Sequence, residues 1–216
     1  MNMKPILFNT EMVRAILEGR KAVTRRGVKP QPPATSVVRK RGCAWDWSFW
    51  ADCDIGHMIK LPYHPGDILW VRETWNGDWC DHYIYKADGG GAKAAGYAAE
   101  PKWRPSIHMP REAARIFLRV TDVRVERLQD ISREQAIDEG VNDPYDYQPP
   151  AWYDKHGLTN NYEIDAFAGL WDSTIKLADL TLYGWEANPW VWVIEFERIS
   201  KDEALGGGGD DCTDAH

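Results

Sequence analysis

Between Arg115 and Val125 the apolar residues Ile116, Leu118 and Val120 recur at every second position, alternating with polar or charged neighbours apart from Phe117, and Val123 and Val125 resume the pattern after Asp122. A period of two sends alternate side chains to opposite faces, so this stretch is a long strand or a bent pair, and the chain must build a sheet with one buried face. Trp190-Val191-Trp192-Val193-Ile194-Glu195-Phe196 is a second strong strand, entered through Asn188-Pro189. A third, Ile68-Leu69-Trp70-Val71, follows the turn signal Pro65-Gly66-Asp67 and runs into Arg72-Glu73-Thr74-Trp75, with His82 to Lys86 as its expected partner strand.

Helices are few. Asn9 or Thr10 can cap a short one whose Met12, Val13, Ile16 and Leu17 follow helical spacing and which stops at Gly19, after which Lys21 to Arg26 leave as an extended segment. Ser132 with Gln135 forms a capping box for a helix ending near Gly140. Another helix is expected from about Tyr162 to Ile175, with Phe167, Leu170 and Trp171 on its buried side. Strands and helices without regular βαβ alternation predict an α+β domain on a barrel-like sheet. At 216 residues one domain is expected over residues 1–200, interrupted by irregular insertions at about 27–64, 87–105 and 142–160. Residues 201–216, with Gly206 to Gly209 and an acidic end, read as a disordered tail. Gly89-Gly90-Gly91 is not a phosphate loop, because no Gly-Lys-Ser/Thr follows it.

The formal charge of −7 argues against a broadly basic nucleic-acid coat. It conceals an asymmetry: residues 1–41 carry ten Lys and Arg against Glu11 and Glu18, a balance of +8, and the remainder carries −15. A polyanion site should therefore be local and involve the N-terminal segment. No stretch approaches the roughly 18 apolar residues of a membrane span. The N-terminus lacks the apolar run of a secretory signal, which points to the cytoplasm. Cys43, Cys53, Cys80 and Cys212 are then expected as thiols without disulfides.

The segment Ile16-Leu17-Glu18-Gly19-Arg20-Lys21-Ala22-Val23-Thr24-Arg25-Arg26 resembles the signature of ASCH domains, in which a helix ends at Gly and runs into a Lys-x-x-Thr-x-Arg stretch. Three further blocks match in order: Pro65-Gly66-Asp67-Ile68-Leu69, Leu128 to Gly140 with Ala136 and Glu139, and Val193-Ile194-Glu195-Phe196. Val71-Arg72-Glu73-Thr74-Trp75, Trp103-Arg104-Pro105-Ser106-Ile107-His108-Met109-Pro110 and Gly184-Trp185 extend the likeness to the larger ASCH proteins of bacteriophages and prophages, over nearly all of residues 4–200. The resemblance implies a PUA-like β-barrel with flanking helices, associated with RNA and modified-nucleoside chemistry.

Small bacterial ASCH proteins include amidohydrolases that remove the acetyl group of N4-acetylcytidine with a Lys, a Thr and a Glu, and the resemblance carries those roles to Lys21, Thr24 and Glu139. The chemistry is coherent: a buried Lys flanked by cations can deprotonate a Thr hydroxyl, and a carboxyl of raised pKa can protonate the departing amine. Arg20, Arg25 and Arg26 are the cationic neighbours and candidate substrate contacts, with Arg26 also a candidate oxyanion donor. In a regular strand Lys21 and Thr24 face opposite sides, so they meet only if Lys21 lies in the bend after Gly19. The plainer alternative is that Lys21 and the arginines hold phosphate while Thr24 packs in the sheet.

Among the twelve tryptophans, Trp70, Trp171, Trp190 and Trp192 read as core, whereas Trp75, Trp79 and Trp103 in or near loops are candidates for stacking on a base. Cys43, Cys53, His57, Cys80 and His82 are zinc-ligand types, but their spacing matches no standard finger or ribbon, and no cofactor is expected. Three functions follow: an ASCH-type protein binding a modified pyrimidine nucleoside or nucleic acid, with removal of the acyl group of N4-acetylcytidine as its candidate activity, a non-catalytic module for RNA or single-stranded nucleic acid, or a phage-encoded protein binding a host protein through its insertions. For the last, Tyr145, Tyr147, Trp152 and Tyr153 make the 142–160 insertion aromatic.

Overall fold

The computed structural model describes residues 3–33, 37–41, 46–50, 56–77, 82–89, 101–141 and 161–206. The chain divides into two compact units, one of Met1–Arg14, Gly66–Val120 and Glu197–His216, the other of Ala15–Pro65 and Thr121–Phe196. The architecture is α+β. Strands β1 (Lys4–Leu7), β2 (Val23–Gly27), β6 (Ile68–Arg72), β9 (Phe117–Arg127) and β10 (Trp190–Ile199) form an open five-stranded sheet in the order β1-β6-β9-β10-β2.

In the first unit β1 runs parallel to β6, from Lys4 opposite Leu69 to Leu7 opposite Arg72, and Lys4 Nζ reaches Asp67 at 2.5 Å. Strand β9 meets β6 antiparallel, with Phe117 opposite Trp70. Met3, Ile68, Trp70, Met109 and Phe117 make the core, joined by Trp75 of β7 (Trp75–Asn76), which pairs with β8 (Ile84–Tyr85). Two sequence blocks meet here. Arg72 Nε donates to the Met109 carbonyl at 3.1 Å, and the Glu73 amide donates to Met109 Sδ at 3.2 Å. The Glu73 carboxylate, 1% exposed, accepts both arms of Arg115 at 2.9 and 3.0 Å, and Arg115 lies 3.9 Å over the Tyr85 ring. Burial pushes the Glu73 carboxyl upward and Arg115 opposes the shift.

The second unit holds β2 antiparallel to β10, with Thr24 opposite Ile194 and Arg25 opposite Val193. Helices α2 (Arg133–Asp138) and α3 (Tyr162–Thr174) cover this pair. Val23, Leu128, Ala136, Phe167, Trp171 and Val193 form one core, in which Phe167 sits 6.2 Å from both Trp171 and Trp185. The expected capping box is present: Gln135 N donates to Ser132 Oγ at 3.2 Å, and Ser132 N donates to Gln135 Oε1 at 3.1 Å. Helix α1 (Thr10–Leu17) runs from one unit into the other and starts at Asn9, whose Oδ1 accepts from Met12 N at 2.8 Å.

Two expectations need correction. The 27–64 segment is not irregular throughout, because β3 (Val37–Arg41), β4 (Asp46–Trp50) and β5 (Gly56–Ile59) form an antiparallel three-stranded sheet. Paired Val37 and Trp50, and Val38 and Phe49, are β-prone residues that overrode the nearby prolines. The tail does not start at 201: Lys201–Leu205 is helix α5, which follows helix α4 (Leu180–Tyr183) in chain order. It is capped by Ser200, whose Oγ accepts from Glu203 N at 3.1 Å, and it ends at Gly206 in the left-handed region. Residues 207–216 and the 142–160 insertion lie outside the described residues, as does most of the 87–105 insertion. No helix among the described residues is long and apolar enough to cross a membrane.

Phe167→Ala, opening the second core, is expected to cost about 3–5 kcal/mol. Ser132→Ala, losing one cap, should cost about 1 kcal/mol. Urea midpoints at constant m-value measure both, and equal losses would contradict this ranking.

Candidate functional site

The chain reverses after α1 because Gly19, at φ 76°, turns it back on the last helical turn, where the amides of Arg20 and Lys21 both donate to the Ala15 carbonyl at 2.8 and 3.1 Å. This bend places Lys21 opposite Glu139 in an isolated bridge, and Ala22 N donates to the Asp138 carbonyl at 2.9 Å. Glu139 itself ends α2, and Gly140 follows at φ 84°. A Cβ on Gly140 would stand 2.7 Å from that of Ala15 and 3.0 Å from that of Lys21, so both the backbone angle and the space call for glycine.

A buried ion cluster results. Lys21 Nζ, with a side chain 0% exposed, donates to Glu139 Oε2 at 2.7 Å, to the Glu139 carbonyl at 2.8 Å and to the Val23 carbonyl at 2.7 Å. The other oxygen of Glu139 accepts from Arg25 Nη1 at 3.1 Å. Arg25 Nη2 donates to Gln135 Oε1 at 2.7 Å, the same oxygen that caps α2, and its guanidinium lies 5.7 Å from the Phe167 ring centre. Glu126 Oε2 stands 3.6 Å from Arg25, too far for a hydrogen bond. Arg25 Nε is sealed from solvent and has no acceptor among the described residues.

Burial pushes the Lys21 amine below its ordinary value, Glu139 pulls it back, and Arg26 and Arg25 push it further down. Its three ammonium donors are all engaged, so Lys21 serves as a base only once one proton has left. The general-acid role needs a protonated Glu139, whereas both of its oxygens here face cations, an arrangement suited to a carboxylate. Thr24 is 2% exposed in β2, and no hydrogen bond holds its hydroxyl among the described residues.

Beside the cluster opens a cavity of about 370 Å³, whose walls include Arg25, Arg26, Lys29, Trp171, Lys176 and Tyr183. Arg25 belongs to both. The remaining expected residues lie elsewhere. Arg20 is occupied at the helix end, with Nη1 on the Gly140 carbonyl at 3.0 Å and Nε on Glu18 at 2.8 Å. Trp75 is not in a loop but buried in the first unit, 5.6 Å from Tyr83, because its strand pairs it with Tyr85. Trp103 is half-buried in that unit and does not line the cavity. Trp79, Cys43, Cys53 and Cys80 lie outside the described residues, and no group of three His, Cys, Asp or Glu that could hold a metal occurs among the described ones. Lys176, Tyr183 and the cavity role of Trp171 had no local signal, because only the packing of α3 and the segment after it brings them to β2.

No protein-family model matches the chain, and no curated protein does. Among solved structures it is similar to protein EF3133 from Enterococcus faecalis V583, described as DUF984, with 12% identity over 93% of this chain and 82% of that one and a TM-score of 0.41. At that identity and TM-score neither family nor activity transfers.

Glu139→Gln removes a carboxylate that both Lys21 and Arg25 contact and is expected to cost about 3–5 kcal/mol. Adding Lys21→Met should recover part of that loss in a double-mutant cycle. Strictly additive effects would show that the pair carries no coupling.

Proposed function

We propose that this chain is an ASCH-type protein of PUA-like fold whose second unit binds a pyrimidine nucleoside unit, free or in single-stranded nucleic acid. The observation that carries the reading is the cavity beside β2, where cations and aromatic rings meet around a space of about 370 Å³. That volume lies near the low end of the roughly 300–1,000 Å³ range of small-ligand sites, suited to one nucleoside unit. Tyr183 and Trp171 offer ring surface for a base or sugar, and the basic residues of the N-terminal segment supply positive potential in an otherwise acidic chain.

A second reading, hydrolysis of the N4-acyl amide of acetylcytidine, is favoured by the depressed Lys21 and its nearness in sequence to the untethered Thr24 hydroxyl. In it, neutral Lys21 takes the Thr24 proton and the hydroxyl oxygen attacks the acyl carbonyl. The C–N bond then breaks, the amine leaves with a proton, and water releases the acyl group from Thr24. Arg25, shared by the cluster and the cavity, connects this machinery to a bound base.

Calorimetric titration with cytidine and N4-acetylcytidine tests the binding reading, and absence of binding to both by folded protein would refute it. Cytidine release from N4-acetylcytidine tests the second. Thr24→Val should abolish turnover, Thr24→Ser should keep it in part, and binding without turnover would leave only the first.

A base must be deprotonated, so activity should be low at acidic pH and rise through an apparent pKa below the ordinary lysine value of 10.5. A pH–rate profile with no such ascending limb would remove Lys21 from the chemistry.

A further inference from the structure

The charges around the cavity are unevenly matched. Arg25 is committed to Glu139 and Gln135, and Asp179 is the only carboxylate lining the space among the described residues. Lys29 and Lys176 also line it, both exposed, and neither forms an ion pair among the described residues. Lys29 Nζ stands 5.1 Å from the centre of the Tyr183 ring, which places its charge at an aromatic wall. Arg26 adds a third cation. Lys29, Lys176 and Arg26 against Asp179, the one carboxylate among the described lining residues, leave the cavity with more positive than negative charge, which favours an anion there. A dianion matches several cations better than a single carboxylate does, and lysine binds phosphate as a point charge.

We propose that Lys29, Lys176 and Arg26 form a phosphomonoester subsite, so that the ligand is a pyrimidine nucleoside monophosphate rather than a nucleoside. This rests on the nucleoside-binding reading and adds the charge of its ligand. The base or sugar lies along Tyr183 and Trp171, and the phosphate faces the lysines. The same group can come from a free nucleotide or from the 5′ end of a nucleic-acid strand.

Calorimetry with cytidine, cytidine 5′-monophosphate, inorganic phosphate and a short oligocytidylate with and without a 5′-phosphate tests it. The monophosphate is expected to bind about tenfold or more tighter than cytidine, since bonds to charged groups are the stronger ones. In Lys29→Met/Lys176→Met, two exposed positions whose loss spares the core, that advantage should fall to within about twofold. Gly27→Ala sets a Cβ 3.3 Å from Tyr183 Cδ1 and should weaken cytidine and its monophosphate together, which reports that both occupy this cavity. Preference for the 5′-phosphorylated oligomer over its unphosphorylated twin assigns the phosphate to a strand end, and preference for the free monophosphate assigns it to a nucleotide. Equal binding of cytidine and its monophosphate, or an advantage that survives the double variant, overturns the subsite while the nucleoside reading stands. Binding of neither overturns both.

Discussion

The contact between Lys21 and Glu139, 2.7 Å long and closed to solvent, joins two parts of the second unit that are far apart in sequence: the bend between α1 and β2, and the end of α2. Removing both charges from water is expensive, and the cost is met only because each donor and acceptor is used. Lys21 has three acceptors, and the two carboxylate oxygens of Glu139 face two cations. The geometry leaves little slack. Gly140 must lie in the left-handed region for Glu139 to turn toward Lys21, and it must lack a Cβ for Ala15 and Lys21 to approach.

Arg25 extends this cluster in two directions. Through Gln135 it reaches the capping box, so the start of α2 and the ion cluster share one amide oxygen. Through its own backbone position in β2 it stands beside Arg26 at the cavity wall. A ligand there would lie against residues whose positions are set by buried charge rather than by a loose surface loop, which is the arrangement a selective small-molecule site requires.

The first unit solves a similar problem with different residues. Glu73, nearly inaccessible, is gripped by both arms of Arg115, which rests on Tyr85. The blocks 71–75 and 103–110 are thus two sides of one packing contact, centred on the fully buried Met109.

Local chemistry was readable in the sequence. The capping box at Ser132 and Gln135, the Asn9 cap, the span of α3 and the strands β6, β9 and β10 follow from periodicity and from side chains that bond to their own neighbourhood. The three-stranded sheet at 37–59 was obscured by prolines and by aromatic residues without clear alternation. Trp75 was misplaced because a two-residue strand carries no period. Glu139 could be matched but not explained, since its partners lie more than a hundred residues away. The sequence by itself determined the capped helices and the strongly periodic strands, because caps and periodicity are written in residues a few positions apart. Only the tertiary structure decided which cations are spent on a buried carboxylate and which face a cavity, because desolvation and pairing depend on neighbours that folding alone brings together.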